Sequence, residues 1–366
     1  MTTEPPPTAS RRVELVAFLA LPRIEPGSAA QEAQTIPFPE TIPLPEGCTG
    51  RPFTLSCGRP ALSVEAADSA PEAATEDGGG RLPAGAALRR ASASKALVRQ
   101  RRLEALAPLG TVLPASPGTP PPDDLAAFAR ANAPALAAAF ERLCGHAQFQ
   151  VLVAWDAPRA ARRFAAAPEL SGLPRRPHRA AREAAVAALA RRFGDGIANR
   201  LAATATDAIR LPDMEGGLAN LVLLVDDAER VALEATLEEI DALWKEGLRI
   251  RLVGPSPALS FARAQLETVG TDELADAARR LGADPGLPVA PAAIAGLRRR
   301  ALAATGGPDA PLPAEIDRAA ILLAACARLE RAPAAPGEAV LLSLARDGLP
   351  MAAGRADLAC AIAEVA

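Results

Sequence analysis

The sequence predicts an α+β fold, built as two α+β domains followed by a small helical C-terminal appendage. The chain has 366 residues, which suits two domains better than one. Hydrophobic residues make up 49% of it and charged residues 23%, so it can bury a substantial core. Aromatic residues are only 3% and tyrosine is absent. This composition favours closely packed, alanine-rich helices over a sheet sandwich filled with rings.

The N-terminal α+β domain is predicted over residues 13–145. Residues 1–12 before it are polar and proline-rich and are expected to be disordered. Residues 13–21 form a short apolar run that stops at Pro22, so a strand is expected there. Residues 68–85 are acidic and glycine-rich and predict a flexible loop. The other predicted elements are strands at 53–56, 61–66 and 110–114, and helices at 88–107 and from Asp123 or Asp124 to Gly145.

The second domain is predicted over residues 146–261, where strand and helix patterns alternate most clearly. Leu233, Leu237, Ile240 and Trp244 form one apolar helical stripe, and Gly247 is expected to cap that helix. The predicted order is strand, helix, strand, strand, helix, strand, which is the ferredoxin-like arrangement. The strands are placed at 148–155, 204–211, 218–225 and 248–253, and the first helix at 179–202, after a basic, proline-broken loop.

The appendage is predicted over residues 262–366 as short helices separated by proline and glycine. If it is separate, its removal leaves the two-domain body folded. The expected helices are 271–281, 291–304, 313–331, 337–347 and 353–366.

Charge and cysteine usage exclude several classes of protein. The net charge is -3, from 40 basic and 43 acidic residues, so no overall field attracts nucleic acid or an anionic membrane. No apolar run approaches the length of a membrane-spanning helix. The five cysteines are scattered without a C-x-x-C pair, which supports neither a disulfide framework nor a zinc site. The expected compartment is the reduced cytoplasm.

The sequence contains no set of residues that indicates a reaction centre, so no enzyme activity, metal or cofactor is expected. The two histidines have surroundings that do not suit catalysis, because His146 follows a helix-ending glycine and His178 lies in an arginine and proline loop. Gly194-Asp195-Gly196 lies inside a helical pattern, not after a strand, which argues against a dinucleotide site. Arginine pairs and triplets recur without interleaved aromatics, so solvated helix faces or protein contacts are favoured over nucleic-acid binding.

Two segments together resemble the GvpF/GvpL family of gas vesicle proteins. Residues 109–144 are similar to the family's Leu-Pro strand that leads through Gly-Thr, here Gly118 and Thr119, into a helix. Residues 218–261 are similar to its strand, helix and strand that close on Gly-Pro-x-Pro-x-x-Ser-Phe. The closing motif is the most specific element, and its residues here are Gly254, Pro255, Pro257, Ser260 and Phe261.

The resemblance covers about residues 13–261 and includes departures from the family pattern. The family's arginine and phenylalanine before Gly-Thr are replaced by Ala115, Ser116 and Pro117. Its tryptophan and tyrosine in the closing motif are replaced by Ser256 and Leu259. A divergent member with its own partner surface is expected.

The resemblance implies a non-enzymatic accessory protein of the gas vesicle. Such a protein binds the small hydrophobic shell protein, and other gas vesicle accessory proteins, and assists shell nucleation or assembly. It implies a location at the gas vesicle in the cytoplasm, with no nucleic acid, membrane or cofactor as partner. Two alternatives stay open: a ferredoxin-like ligand-binding or enzymatic module, and an arginine-dependent nucleic-acid binder.

Overall fold

A computed structural model describes residues 13–22, 42–67, 84–174, 178–212, 214, 216–304, 311–335 and 337–348. These residues form two compact units: unit 1 contains the described residues up to 142 together with 262–345, and unit 2 contains 143–261 together with 346–348. The expected disordered residues 1–12, most of the expected loop 68–85 and the expected helix 353–366 lie outside the described residues.

Unit 1 begins with an antiparallel sheet that carries a buried central strand. The strands are β1 (Val13–Ala20), β2 (Cys48–Thr54), β3 (Pro60–Ala67) and β4 (Thr111–Pro114), in the order β2-β3-β1-β4. The last six residues of β1 are buried, and the Phe18 ring stacks on Phe128 with centroids 5.2 Å apart. The apolar run before Pro22 is therefore the centre of this core.

Three helices accompany this sheet: α1 (Ala84–Leu106), α2 (Leu125–Ala131) and α3 (Ala133–Leu143). The Asp124 carboxylate accepts a hydrogen bond from the Ala127 N–H at 2.9 Å, so Asp124 is the N-cap. The single helix expected from here to Gly145 is wrong in one respect, because it is divided into α2 and α3 at Asn132.

Unit 2 contains one four-stranded antiparallel sheet. Its strands are β5 (His146–Trp155), β6 (Asp207–Arg210), β7 (Gly217–Asp226) and β8 (Leu248–Ser256), in the order β6-β7-β5-β8. Its helices are α4 (Ala157–Arg163), α5 (Pro168–Ser171), α6 (Arg179–Ala202) and α7 (Arg230–Leu243). The strands expected from Gln148, Leu218 and Leu248 thus share a sheet, and the strand order is compatible with a ferredoxin-like arrangement.

Two details of unit 2 differ from the sequence predictions. The expected basic loop after β5 contains α4 and α5, because Asp156 caps α4 by accepting the Arg159 N–H at 2.9 Å. Helix α7 ends at Leu243, so Trp244 is the C-cap residue and Gly247 lies beyond it. Trp244 still packs on the core, with its ring 5.5 Å from that of Phe164 in an edge-on contact.

Helix α6 runs through its two glycines without interruption, and Gly194 brings it close to the sheet. A Cβ atom on Gly194 would lie 2.0 Å from the Leu218 carbonyl oxygen of β7. Only glycine permits this distance. On the sheet face towards the helices, Phe149, Val151, Val153 and Trp155 of β5 belong to the buried core that also includes Phe193 and Ile197 of α6.

Residues 263–345 complete unit 1 with β9 (Arg263–Val269), α8 (Thr271–Arg280), α9 (Pro291–Ala303), α10 (Pro313–Arg328) and β10 (Ala339–Ala345). The helix expected at 337–347 is wrong: this segment is strand β10, which pairs antiparallel with β9. Ser116 N–H donates to the Ala264 carbonyl at 2.7 Å, which connects the end of β4 to β9. Residues 262–345 of the segment expected as a separate helical appendage are therefore part of the same compact unit as the N-terminal sheet, whereas residues 346–348 belong to unit 2. No helix among the described residues is long and apolar enough to cross a membrane.

Candidate functional site

The Gly-Thr motif forms a tight turn in unit 1. Gly118 has a φ of +76°, and the Thr119 N–H donates to the Ser116 carbonyl at 3.2 Å. The Thr119 carbonyl accepts a hydrogen bond from Leu15 of β1 at 2.9 Å, and Thr119 is buried. The motif therefore anchors the turn after β4 to the central strand.

The closing motif begins where β8 bulges over β5 in unit 2. Gly254 has a φ of +143°, and a Cβ atom there would lie 2.8 Å from both the Gln148 carbonyl oxygen and the Phe149 ring. The peptide bond between Gly254 and Pro255 is cis. The register shifts at this point, because Gln150 pairs with Val253 whereas Gln148 pairs with Ser256. Glycine is required here for both its conformation and its missing side chain.

Gln148 holds the rest of the closing motif against the end of β5. Its side-chain oxygen accepts a hydrogen bond from the Ser260 N–H at 2.9 Å, and its carbonyl accepts one from the Ser256 hydroxyl at 3.3 Å. Pro257 and Phe261 are buried. Ser256 is one of the residues that replace the family's aromatic residues in the closing motif. Its hydroxyl bonds to the Gln148 carbonyl, so the turn is held without an aromatic ring at this position.

Arg346 fastens the same motif to strand β6. Its guanidinium donates to both carboxylate oxygens of Asp207, at 2.6 and 2.7 Å, and to the Ala208 carbonyl at 3.2 Å. It also lies over the Phe261 ring, 5.6 Å from the centroid. The neighbouring Asp347 N–H donates to the Ser260 carbonyl at 2.9 Å. Sequence reasoning missed Arg346, because more than eighty residues separate it from the motif.

The titratable groups outside the two motifs have structural surroundings and do not form a reaction centre. His146 contacts the Cys144 carbonyl at 2.9 Å and the Thr206 hydroxyl at 3.0 Å. Asp226 accepts the Ala228 N–H at 2.8 Å, as expected of a helix start. Burial raises the pKa of the Cys48 thiol, which is the opposite of what a nucleophile requires. Within the described ranges, no three His, Cys, Asp or Glu residues lie close enough to hold a metal ion.

Several arginines of the predicted clusters are bound within the protein. Arg99 of α1 lies against β1, where it pairs with Glu14 and donates to the Val16 carbonyl at 3.0 Å. Burial lowers the pKa of the Arg99 guanidinium, and the Glu14 carboxylate opposes this shift. Arg192 pairs with Glu169 at 2.7 Å, and Arg298 pairs with Asp317 at 2.6 Å. The Arg99 and Arg192 pairs are partly buried and the Arg298 pair is exposed, and in each of them the guanidinium already has a carboxylate partner.

The described residues thus define an α+β protein of two antiparallel-sheet units, in which both predicted motifs shape turns at sheet ends. Gly118 and Thr119 lie in unit 1, and the closing motif lies in unit 2.

The sequence profile of the gas vesicle synthesis protein GvpL/GvpF family matches residues 33–263. The chain belongs to this family.

Two solved structures are similar to this chain. The gas vesicle protein GvpF from Anabaena sp. PCC7120 is 15% identical, with a TM-score of 0.44, and the match covers 67% of this chain and 93% of that one. GvpF from Microcystis aeruginosa is 14% identical, also with a TM-score of 0.44, over 68% of this chain and 98% of that one. No curated protein sequence matches the chain significantly.

Proposed function

We propose that this protein is an accessory component of the gas vesicle that binds the small hydrophobic shell protein and assists nucleation or assembly of the shell. It acts by contact, without catalytic turnover, at the gas vesicle in the cytoplasm and together with other accessory proteins of the vesicle. Family membership over residues 33–263 carries the proposal.

Exposed apolar side chains on the helices are consistent with this role. Residues 92–98 of α1 are all exposed, and the side chain of Leu97 is 60% accessible. Val98 beside it and Ile321 on α10 are also exposed. A protein that keeps an apolar subunit from aggregating must offer apolar surface of its own.

The two rival functions have weaker support. A ligand-binding or enzymatic module requires a cleft in which titratable groups converge. His146 and Asp226 lie 3.9 Å apart, but each is also engaged by other groups of the fold, and burial raises the pKa of the Cys48 thiol. A nucleic-acid binder requires arginines available for phosphates, whereas Arg99, Arg192 and Arg298 pair with carboxylates.

Co-expression of the full chain with the shell protein tests the proposal. The expected result is that the shell protein co-purifies with the chain and scatters less light than it does alone. Leu97→Glu with Val98→Glu should weaken this retention if α1 contributes to the contact, and Lys95→Glu on the same exposed turn is the matched control. Deletion of residues 262–366 is a poor variant, because apolar residues between 269 and 341 form one buried cluster with Ala131. The deletion would expose Ala131 and disrupt the core of unit 1.

The contrary outcomes are distinct. Full-length protein that neither retains the shell protein nor changes its scattering, while converting a small molecule, would establish the enzymatic reading. Tight binding to DNA or RNA that weakens steeply with salt would establish the nucleic-acid reading.

A further inference from the structure

Strand β8 is an open sheet edge, whereas three other strand edges are covered. The Asn132 side chain donates to the Val340 carbonyl and accepts the Leu342 N–H of β10, at 2.9 and 2.8 Å. Arg346 donates to the Ala208 carbonyl of β6. The end of β4 is bridged to β9 through Ala115 and Ala264. On β8, every residue from 251 to 255 is exposed. The backbone N–H and C=O groups that alternate along such an edge are available to another strand.

The two faces of β8 present different side chains. Ile250 and Leu252 lie opposite the buried Val153 and Val151 of β5, so they extend the core side of the sheet. Leu252 is nevertheless 39% accessible, and a strand added beside it would cover it. The opposite face carries the exposed Arg249 and Arg251. Within the described part of the chain, neither guanidinium pairs with a carboxylate.

This pattern selects against a second copy of the chain. Antiparallel pairing of two β8 strands over residues 248–254, with their core sides aligned, places Arg251 opposite itself, and the next register along places Arg249 opposite Arg251. Like charges that lie directly opposite across two strands are unfavourable. An acidic residue opposite each arginine, with an apolar residue opposite Ile250 between them, is favourable on both faces.

We propose that β8 binds an extended segment of a partner protein by strand addition, and that acidic and apolar residues alternate in this segment. Backbone hydrogen bonds supply the attachment, and the arginines and Leu252 supply the specificity. Pro255 has no N–H to donate, so the added strand pairs with residues 248–254. The inference concerns a mode of binding and does not depend on the shell protein being the partner.

A synthetic peptide with alternating valine and glutamate over about six residues, the usual strand length, is the probe. Hydrogen exchange of the full-length protein should slow across residues 248–254 when this peptide is added. Two control peptides carry lysine in place of glutamate, or N-methyl groups on alternate backbone nitrogens of the glutamate peptide. The lysine control tests charge, and the N-methylated control tests backbone pairing.

Charge reversal of the protein completes the test. Arg249→Glu with Arg251→Glu should weaken binding of the glutamate peptide by about tenfold and make the lysine peptide the better ligand, because the cross-strand pairs change sign. Both arginines are exposed, so the variant should retain the wild-type unfolding midpoint. Equal binding of the N-methylated peptide would overturn strand addition in favour of simple charge attraction. Hydrogen exchange at β8 should also be measured without peptide at several protein concentrations. Exchange that slows as the protein concentration rises would identify a second copy as the occupant and would overturn the proposal.

Discussion

The two units join their elements in different ways. Unit 2 builds its whole sheet from one continuous stretch, and apolar helices pack on it so closely that Gly194 touches the β7 backbone. Unit 1 combines a segment before residue 142 with another after residue 262. Polar side chains in its interior connect the two segments or hydrogen-bond to the N-terminal sheet. Arg99 and Asn132 are the main examples. Unit 2 should therefore be most sensitive to added volume, and unit 1 to lost hydrogen bonds.

Fluorescence can separate the two responses. Both tryptophans of the chain, Trp155 and Trp244, lie in unit 2. Their emission reports on unfolding of unit 2, while far-ultraviolet circular dichroism reports on both units.

The largest expected effect comes from Gly194→Ala. The added methyl group collides with the Leu218 carbonyl and should destabilise unit 2 by about 3 kcal/mol, measured as a lower urea midpoint of tryptophan fluorescence. Gly172→Ala in the same unit is the matched control, because the atom nearest to its Cβ position, the Pro168 carbonyl oxygen, lies at an ordinary contact distance of 3.8 Å. That variant should be neutral or slightly stabilising. Equal midpoints for the two variants would contradict the close helix–sheet contact.

Arg99→Met should destabilise unit 1 by about 2–3 kcal/mol, because it leaves the Glu14 carboxylate and the Val16 carbonyl without their donor. The loss should be visible in the circular dichroism transition. Arg101→Met, on an exposed side of the same helix, is the control and should change little. An effect of similar size in both variants would indicate that only helix propensity is involved.

Asn132→Ala should cost about 2 kcal/mol, since it leaves the Val340 carbonyl and the Leu342 N–H unpaired. Hydrogen exchange at β10 should accelerate before any change occurs in unit 2. Ser343→Ala, at an exposed position of the same strand, should leave exchange nearly unchanged. Unaltered protection of Leu342 in the Asn132 variant would mean that this edge is held in another way.

The smallest expected effect is pH-dependent and lies in unit 2. Burial alone would raise the pKa of Glu169, but hydrogen bonds from Arg192 and from its own backbone outweigh burial and lower it. A carboxylate with a lowered folded-state pKa stabilises the protein above its unfolded pKa, near 4.3, and loses that contribution as pH falls through the folded value. Glu169→Gln should therefore cost about 1 kcal/mol at neutral pH and progressively less below about pH 4. A cost that is independent of pH would exclude the ion pair as its source.

Unit 2 could be predicted well from the sequence because its signals are local. Strands β5 and β7 appear in the sequence as nearly continuous apolar runs, and helix α7 appears as a stripe through Leu233, Leu237 and Ile240. All of them bury these apolar residues in one core, so each pattern can be recognised within its own segment. Strand β10 could not be predicted, because Ala-Val-Leu-Leu-Ser-Leu-Ala consists largely of good helix formers. It becomes a strand by pairing with β9, more than seventy residues earlier.

The motifs show the same division between local and distant signals. Gly254 could be singled out because Gly-Pro after a strand marks a turn, whereas Gly118 could be singled out only through its resemblance to the family motif. Gln148 and Arg346, which hold the closing motif in place, carry no local mark. Their roles depend on which distant backbone groups the fold brings to them.

The bond between Asn132 and β10 also sets an order of events during synthesis. The strands of unit 2 have all left the ribosome soon after Ser256 is made, whereas Asn132 must wait for β10, which ends at Ala345. At about 5–20 residues per second, this wait lasts roughly ten to fifty seconds. The middle of the chain can therefore fold while unit 1 still lacks β10, and the surface of unit 1 that β10 later joins is the nascent surface most in need of protection by a chaperone.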